Sequence, residues 1–455
     1  MGYDLPTTPP LLACELNGQM DRLLDFGLSR IVSTGNLEVV TPSGRYAFGD
    51  GSGTPVVARF HDSRAVFAFM ADPDMKLGEL FMDGRLTMEA GSIFDLLYLL
   101  LRDSRQGSQP LIGGLLDRAR LLARQIQRAN SPSRSRRNVA HHYDLDDRLY
   151  RLFLDADMQY SCAYFYSPDV DLETAQLAKK RHIAAKLCIE RDHSVLDIGC
   201  GWGGLALYLS NIAGAGSVLG ITLSEEQLRV AQTRKTECRQ SRSIQFALAD
   251  YREIAGTFDR IVSVGMFEHV GASYYDRFFA GCHRLLADDG IMLLHTIGCS
   301  ASPGFVMPWL NKYIFPGAHV PSLSEIVPVI ERRGFVISDL EILQRHYALT
   351  LRSWRERFLE RRQEAVELYD ERFCRMWEFY LAAGEVAFLC EDANVFQLQL
   401  TKKPGVTSLT RSYMASRELA LQEVERRWAA QGDAGRADKS GLSARLSQAE
   451  RTPHD

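Results

Sequence analysis

Between Asn36 and Met88 short apolar runs (Asn36–Val40, Tyr46–Phe48, Pro55–Phe60 and Ala65–Met70) are separated by turn residues, with Gly49-Asp50-Gly51-Ser52-Gly53 the clearest break. The pattern predicts a small sheet. From Met75 to Arg102 the spacing turns helical, ending in Ile93, Leu96, Leu97, Leu99, Leu100 and Leu101 around a polar face. Residues 1–105 are therefore expected to form an N-terminal α+β domain. Residues 106–137 follow as a basic helix and linker, in which Arg118, Arg120, Arg124 and Arg128 interleave with Leu115, Leu116, Leu121, Leu122 and Ile126 before a Ser/Pro/Arg stretch, Ser131–Arg137. Such a helix either lies on an anionic bilayer, where each basic residue is worth about 1 kcal/mol, or bridges two domains with a solvated face.

From Leu172 to about Asp339 helices and apolar strands alternate. A helix over Leu172–Glu190, a strand over Ser194–Ile198, a helix over Gly204–Asn211 and a strand over Ser217–Ile221 lead into apolar runs at Ile244–Leu248, Ile261–Val264 and Gly290–His295. This order predicts an α/β fold with a doubly wound parallel sheet. Beyond Asp339 the chain reads as mainly helical to Phe388, with a last strand over Val395–Leu400. Residues 138–405 are the expected catalytic domain. Residues 406–455 form a charged tail, with a helix over Glu418–Ala430 and a Gly/Ser/Ala/Arg-rich end predicted to be disordered.

Composition narrows the class. A length of 455 residues allows about three domains, and 46% hydrophobic with 24% charged residues excludes a collagenous or wholly disordered chain. The net charge of -4 gives no overall field that would gather nucleic acid. The apolar run Ile93–Leu101 contains Asp95 and falls far short of the roughly 20 residues of a membrane span. The opening Met1-Gly2-Tyr3-Asp4, soon followed by Pro6, Pro9 and Pro10, lacks the form of a secretory signal, so a cytoplasmic location is expected. Nine scattered cysteines without a Cys-x-x-Cys pair suit reduced thiols better than disulfides or a metal site.

The strongest local signal is Val195-Leu196-Asp197-Ile198-Gly199-Cys200-Gly201-Trp202-Gly203-Gly204, a strand running through a glycine turn into a helix. Glycines there let a ligand approach where a side chain would block it. The second strand ends in Gly220-Ile221-Thr222-Leu223-Ser224, without the acid that takes a ribose 2′-hydroxyl in dinucleotide sites. That disfavours a dehydrogenase and favours S-adenosylmethionine. Thr222, Ser224 and Gln227 offer groups for a ribose diol, and Asp250 follows the third strand where an adenine amino group would lie; Ser224 reads equally well as a helix N-cap. Glu268, beside Met266 and Phe267, follows the fourth strand, and His295 ends the fifth. An acid and an imidazole on neighbouring strand ends can hold a small anion or proton acceptor.

Together with Gly78-Glu79-Leu80-Phe81-Met82-Asp83-Gly84, Asn138-Val139-Ala140-His141-His142-Tyr143-Asp144-Leu145, Gln159-Tyr160-Ser161-Cys162-Ala163-Tyr164-Phe165 and Asn311-Lys312-Tyr313-Ile314-Phe315-Pro316, these segments resemble the cyclopropane-fatty-acid-phospholipid synthases from about Gly78 to Leu400. The resemblance implies a class I methyltransferase-type, Rossmann-like sheet. It implies methyl transfer from S-adenosylmethionine to a cis double bond of a phospholipid acyl chain, then proton loss and ring closure, on the inner face of a membrane. It further implies a bound bicarbonate as base, held by Cys162, Glu268, His295 and Tyr347, and cofactor contacts from Tyr160, Ser161, Gly199, Gly201, Thr222 and Gln227, with Asp250 and Tyr251 near the adenine. Tyr313 and Phe315 offer aromatic faces to a cation. The expected partners are a phospholipid bilayer surface and a second copy in a homodimer. One position departs from the family: where many members carry a cysteine, this chain has Gly384. That change keeps a second outcome open, a methyl- or methylene-branched chain.

Overall fold

The computed structural model describes residues 22–103, 146–238, 243–300 and 307–449. The basic helix and linker over 106–137 and the Asn138–Leu145 motif lie outside the described residues.

The N-terminal layer begins with helix α1 (22–31) and a four-stranded sheet of order β2-β1-β3-β4, formed by β1 (Leu37–Thr41), β2 (Gly44–Phe48), β3 (Val56–Phe60) and β4 (Leu86–Ala90). Two expectations fail here. Ala65–Met70, read as a strand, lies in helix α2 (Ser63–Ala71), because the Asp62 carboxylate caps the first turn by accepting from Ala65 N–H at 2.8 Å. Ala65, Val66 and Phe69 then fall on its buried side. Within Met75–Arg102, read as helical throughout, strand β4 separates α3 (Pro73–Met82) from α4 (Ile93–Leu101), whose start is fixed by a Ser92/Asp95 capping box.

After α5 (Asp147–Phe153) and α6 (Leu172–Leu187) comes a seven-stranded sheet of order β10-β11-β9-β8-β5-β6-β7. Its strands are β5 (Ser194–Ile198), β6 (Ser217–Thr222), β7 (Ile244–Leu248), β8 (Phe258–Val264), β9 (Leu286–Cys299), β10 (Val336–Ile342) and β11 (Ala393–Thr401). β5 to β9 pair in parallel, and β11 runs against both neighbours. Adjacent residues on these strands serve opposite faces: Leu196, Ile261 and Leu294 join one core, and Val195, Val262 and Leu293 the other. Both faces are covered, which is why these strands read as apolar runs. β10 leaves no apolar run in the sequence because it is an edge strand with exposed Ser338, Leu340 and Ile342 alternating with partly buried positions. Its last three residues, Leu340–Ile342, replace the start of the helix expected after Asp339.

Helices α7 (Gly204–Asn211), α8 (Glu225–Glu237), α9 (Tyr275–Leu285), α10 (Pro308–Tyr313), α11 (Leu323–Arg332), α12 (Gln344–Glu360), α13 (Arg362–Leu368) and α14 (Glu371–Cys390) complete the body. The tail differs from expectation: one helix, α15 (Ser412–Ala449), replaces the shorter Glu418–Ala430 helix and part of the predicted disordered end. It is held to α6 by Glu418 against His182 and by Glu425 against Arg181, at 2.6 Å for the latter. The N-terminal sheet does not keep a separate core. Leu37, Phe60 and Leu80 share one apolar cluster with Trp309, Trp354, Trp377 and Phe379. Among the described residues no helix is long and apolar enough to cross a membrane.

Candidate functional site

The strand order reverses between β5 and β8, and the crevice beyond the carboxyl ends of such strands is where ligands bind in open α/β sheets. A cavity lies there. Its lining includes Tyr160, Ser161, Gly199, Gly201, Thr222, Gln227, Asp250 and Tyr251, together with Asp197, Trp202 and His269. All eight residues singled out as cofactor contacts are thus brought to one cavity, although they span more than ninety positions of sequence. Gly199 takes φ +85°, and a Cβ there would stand 2.8 Å from Met266 Cβ, so only glycine permits the turn. Gly201 has φ +53° and open space where its side chain would be. Ser224 is the N-cap of α8, accepting from Gln227 N–H at 3.3 Å, while Thr222 Oγ1 donates to Gln227 Oε1 at 2.8 Å. The Asp250 carboxylate holds Arg252 through bonds of 2.8 and 2.5 Å.

One wall is a loop tied down from α6. Lys179, 1% exposed, donates to Gln159 Oε1 at 2.7 Å and to Ser161 Oγ at 2.8 Å. Gln176 donates to the carbonyls of Gln159 and Ser161 at 3.1 and 3.0 Å. Asp157 binds Lys180 at 2.6 Å and also Arg234, which donates in turn to the Trp202 carbonyl at 3.0 Å, joining this loop to the glycine turn. Burial lowers Lys179 to about 8. Burial also raises Asp197 to about 7, against the pull of the Lys179 charge, and its Oδ2 has no protein partner. Tyr160 stacks on Trp354 at 5.1 Å between ring centres and shares a 2.7 Å hydrogen bond with Tyr380.

None of the four residues assigned to the base belongs to this lining, and Glu268 precedes the lining His269 in the chain. Glu268 accepts from Ile297 N–H at 2.6 Å through Oε1, while Oε2 is buried without a partner. Burial raises it to about 7, partly offset by backbone N–H groups and the Thr296 hydroxyl. His295 takes its hydrogen bond from Gln397 at 3.0 Å, and burial together with the Lys179 and Lys186 charges lowers it to about 3, so the ring is neutral. Cys162 is 1% exposed; burial pushes its thiol well up, and Sγ points to the Ala163 carbonyl at 3.3 Å. Tyr347 packs against Phe388 and Trp354 at 4.7 and 5.9 Å. Lys179 is the common electrostatic neighbour of Cys162, His295 and Asp197, and Tyr347 is a neighbour of Tyr160. Tyr313 is occupied otherwise: its hydroxyl donates to Glu79 at 2.9 Å and the Lys312 ammonium lies 4.7 Å from its ring centre.

Lys179, Asp157 and Gln397 escaped sequence reasoning, while Asp197 figures there only as part of the strand-to-glycine motif. A signal existed for Gln397: it stands within Val395-Phe396-Gln397-Leu398-Gln399-Leu400, an apolar strand in which a buried amide needs a partner. Nothing comparable marks Lys179, whose helix carries charges all around.

Comparison with known proteins agrees with this geometry. The family described as mycolic acid cyclopropane synthetase matches residues 130–398. The chain is 40% identical over 333 residues to the cyclopropane-fatty-acyl-phospholipid synthase of Escherichia coli (strain K12), covering 73% of this chain and 84% of that protein. It is 32% identical over 392 residues to the tuberculostearic acid methyltransferase UfaA1 of Mycobacterium tuberculosis, covering 79% and 88%. Among solved structures, mycolic acid cyclopropane synthase CmaA1 complexed with SAH and CTAB superposes with a TM-score of 0.56 at 35% identity, over 58% of this chain and 97% of that one. Coclaurine N-methyltransferase, at 19% identity and a TM-score of 0.58, shares the fold.

Proposed function

The chain belongs to the mycolic acid cyclopropane synthetase family and is an S-adenosylmethionine-dependent methyltransferase of the cyclopropane fatty acid synthase type; on that footing we propose that its substrates are the cis double bonds of unsaturated acyl chains in phospholipids. The enzyme works as a cytoplasmic protein docked at the inner face of the membrane. The observation that carries this reading is the buried Glu268 carboxyl, with one unpartnered oxygen, one residue from the cavity-lining His269. A water-excluded carboxyl beside a cofactor cavity suits a reaction whose cationic intermediate must meet one chosen base.

The cavity fits the cofactor. Gly201 leaves open space where a Cβ would intrude, Asp197 Oδ2 lacks a protein partner, and Thr222 and Gln227 bring a hydroxyl and an amide to the same lining. S-adenosylmethionine supplies an electrophilic methyl group. Tyr160 and Ser161, fixed by Tyr380 and Lys179, would hold the cofactor at this wall, and orientation of reacting groups lowers a barrier by roughly 7–11 kcal/mol. Attack by the alkene would form one carbon–carbon bond to that methyl as its carbon–sulfur bond breaks, with S-adenosylhomocysteine leaving as the neutral thioether and a carbocation remaining on the acyl chain. Loss of a proton from the added methyl group then closes the ring. Bicarbonate, held by Cys162, Glu268, His295 and Tyr347, would supply the proton acceptor: Glu268 Oε2 has no partner and could accept its O–H, and the neutral His295 ring carries a donor.

The test is transfer of labelled methyl from S-adenosylmethionine to vesicles. Mono-unsaturated phospholipid should take up label and fully saturated phospholipid should not. Equal labelling of both, or label in neither while cofactor binding persists, overturns the substrate assignment.

A second outcome is favoured by Gly384 and by likeness to a tuberculostearic acid methyltransferase. A Cβ at Gly384 would stand 3.3 Å from Leu351 Cδ1, so a larger residue there would pack on the helix that carries Tyr347. Glycine leaves that wall thinner and the base less firmly held, which lets proton loss occur elsewhere and give a branched chain.

A further inference from the structure

Three strands carry a row of polar side chains across one face of the sheet. Glu341 on β10 is opposite Gln397 on β11, and Gln397 is opposite His295 on β9, so antiparallel pairing sets the three side by side on one face. Gln397 is 0% and His295 2% exposed. Lys186, reaching down from α6 and itself 0% exposed, donates to Gln397 Oε1 at 3.0 Å and to Glu341, with Asp339 at 3.5 Å. Glu341 also binds His182 at 2.7 Å, and His182 binds Glu418, which anchors the row to α15.

The row has a definite direction. An ammonium group only donates, so the Gln397 atom facing Lys186 Nζ must be the amide oxygen. The amide nitrogen then faces His295 Nδ1, 3.0 Å away, and it too only donates. Nδ1 must accept and therefore bears no proton, which leaves the single ring proton of a neutral imidazole on Nε2. Which nitrogen carries a histidine proton is set by the hydrogen bond the other one makes.

We propose that Gln397 and Lys186 are positioning residues that lock His295 in its Nε2–H form, so that the ring offers the site a hydrogen-bond donor and not a base. This rests on the reading of His295 as a site residue. A donor at Nε2 suits an anionic proton acceptor held beside it, and the proton released in ring closure goes to that acceptor and not to the imidazole. Burial and the neighbouring lysine charges keep the ring neutral, as this role requires.

Nitrogen-15 NMR of histidine-labelled protein reads the tautomer directly, with the His295 signals identified by their loss in His295→Asn. The native chain should show a protonated Nε2 and a bare Nδ1. Gln397→Glu keeps the shape but replaces the amide donor with a second acceptor, so the His295 proton should move to Nδ1 and kcat should fall at least tenfold with cofactor affinity unchanged. A native Nδ1–H form overturns the proposal by itself, whether or not the variant folds. So does a Gln397→Glu protein with native tautomer and native kcat. Unchanged turnover in His295→Asn would instead remove His295 from the site, a separate failure that leaves the tautomer result standing.

Discussion

Glu268 has exchanged its hydration for the Ile297 N–H bond on Oε1 and help from its own N–H and the Thr296 hydroxyl, with Oε2 left unpartnered. Burial lifts it from 4.5 to about 7, and the sign of the consequence is fixed. Between those values the folded chain binds more protons than the unfolded one, so the stability contributed by this group falls as pH rises and is lowest above about 7. The cost of holding the charged form is about 3 kcal/mol there. Glutamine keeps the acceptor for Ile297 and never ionises. Glu268→Gln should therefore match the native chain in denaturant unfolding near pH 4.5 and exceed it by about 3 kcal/mol at pH 8, while losing turnover and keeping cofactor binding. A gain that does not change with pH would mean that Glu268 is not buried in this way. A stabilising loss of activity is what a functional, strained carboxyl predicts.

Among the elements, α3 of the N-terminal layer is keyed to α10. A Cβ on Gly78 would stand 2.5 Å from Trp309 Nε1, and that ring nitrogen faces Met82 Sδ at 3.3 Å. Glu79 accepts from Lys76, Lys312 and Tyr313 at 2.6, 2.7 and 2.9 Å, and though burial alone would raise it, these partners hold it at about 2. Gly78→Ala should thus separate the two helices and lower stability by about 1–3 kcal/mol in denaturant unfolding, the usual cost of overpacking; native stability would show that the contact yields easily. This contact also explains the Gly78–Gly84 motif, whose meaning no local pattern reveals because its partner lies more than two hundred positions on. What the sequence made legible follows the same division. Strand β5 is legible to the residue because a strand covered on both faces leaves an apolar run that ends in a glycine turn, and Gly199, Gly201 and Thr222 are legible because the turn chemistry is local. β10 hid behind its exposed edge, Ala65–Met70 behind an N-cap, and Lys179, Lys186 and Gln397 behind hydrogen bonds between distant segments. Helix α6 buries Gln176, Lys179, Lys180, Arg181, His182 and Lys186, a pattern no hydrophobic period announces.

The full chain carries a net charge of -4, so attraction to an anionic bilayer has to come from a local patch. The basic segment with Arg124 and Arg128 is the sequence feature that fits, and it immediately precedes the catalytic part. Replacing both with Gln should weaken sedimentation with anionic vesicles by about thirtyfold, at about 1 kcal/mol per residue, without changing cofactor affinity; unchanged vesicle binding would assign that segment to a bridging role. In the proposed function, a cofactor cavity at the reversal of strand order and the buried Glu268 carboxyl close a ring on a lipid chain. The most direct test is to incubate the purified protein with methyl-labelled S-adenosylmethionine and mono-unsaturated phospholipid vesicles, release the fatty acids and determine the carbon skeleton by NMR. A cyclopropane ring at the former double bond is the predicted result. A methyl branch or an exocyclic methylene in its place would contradict it.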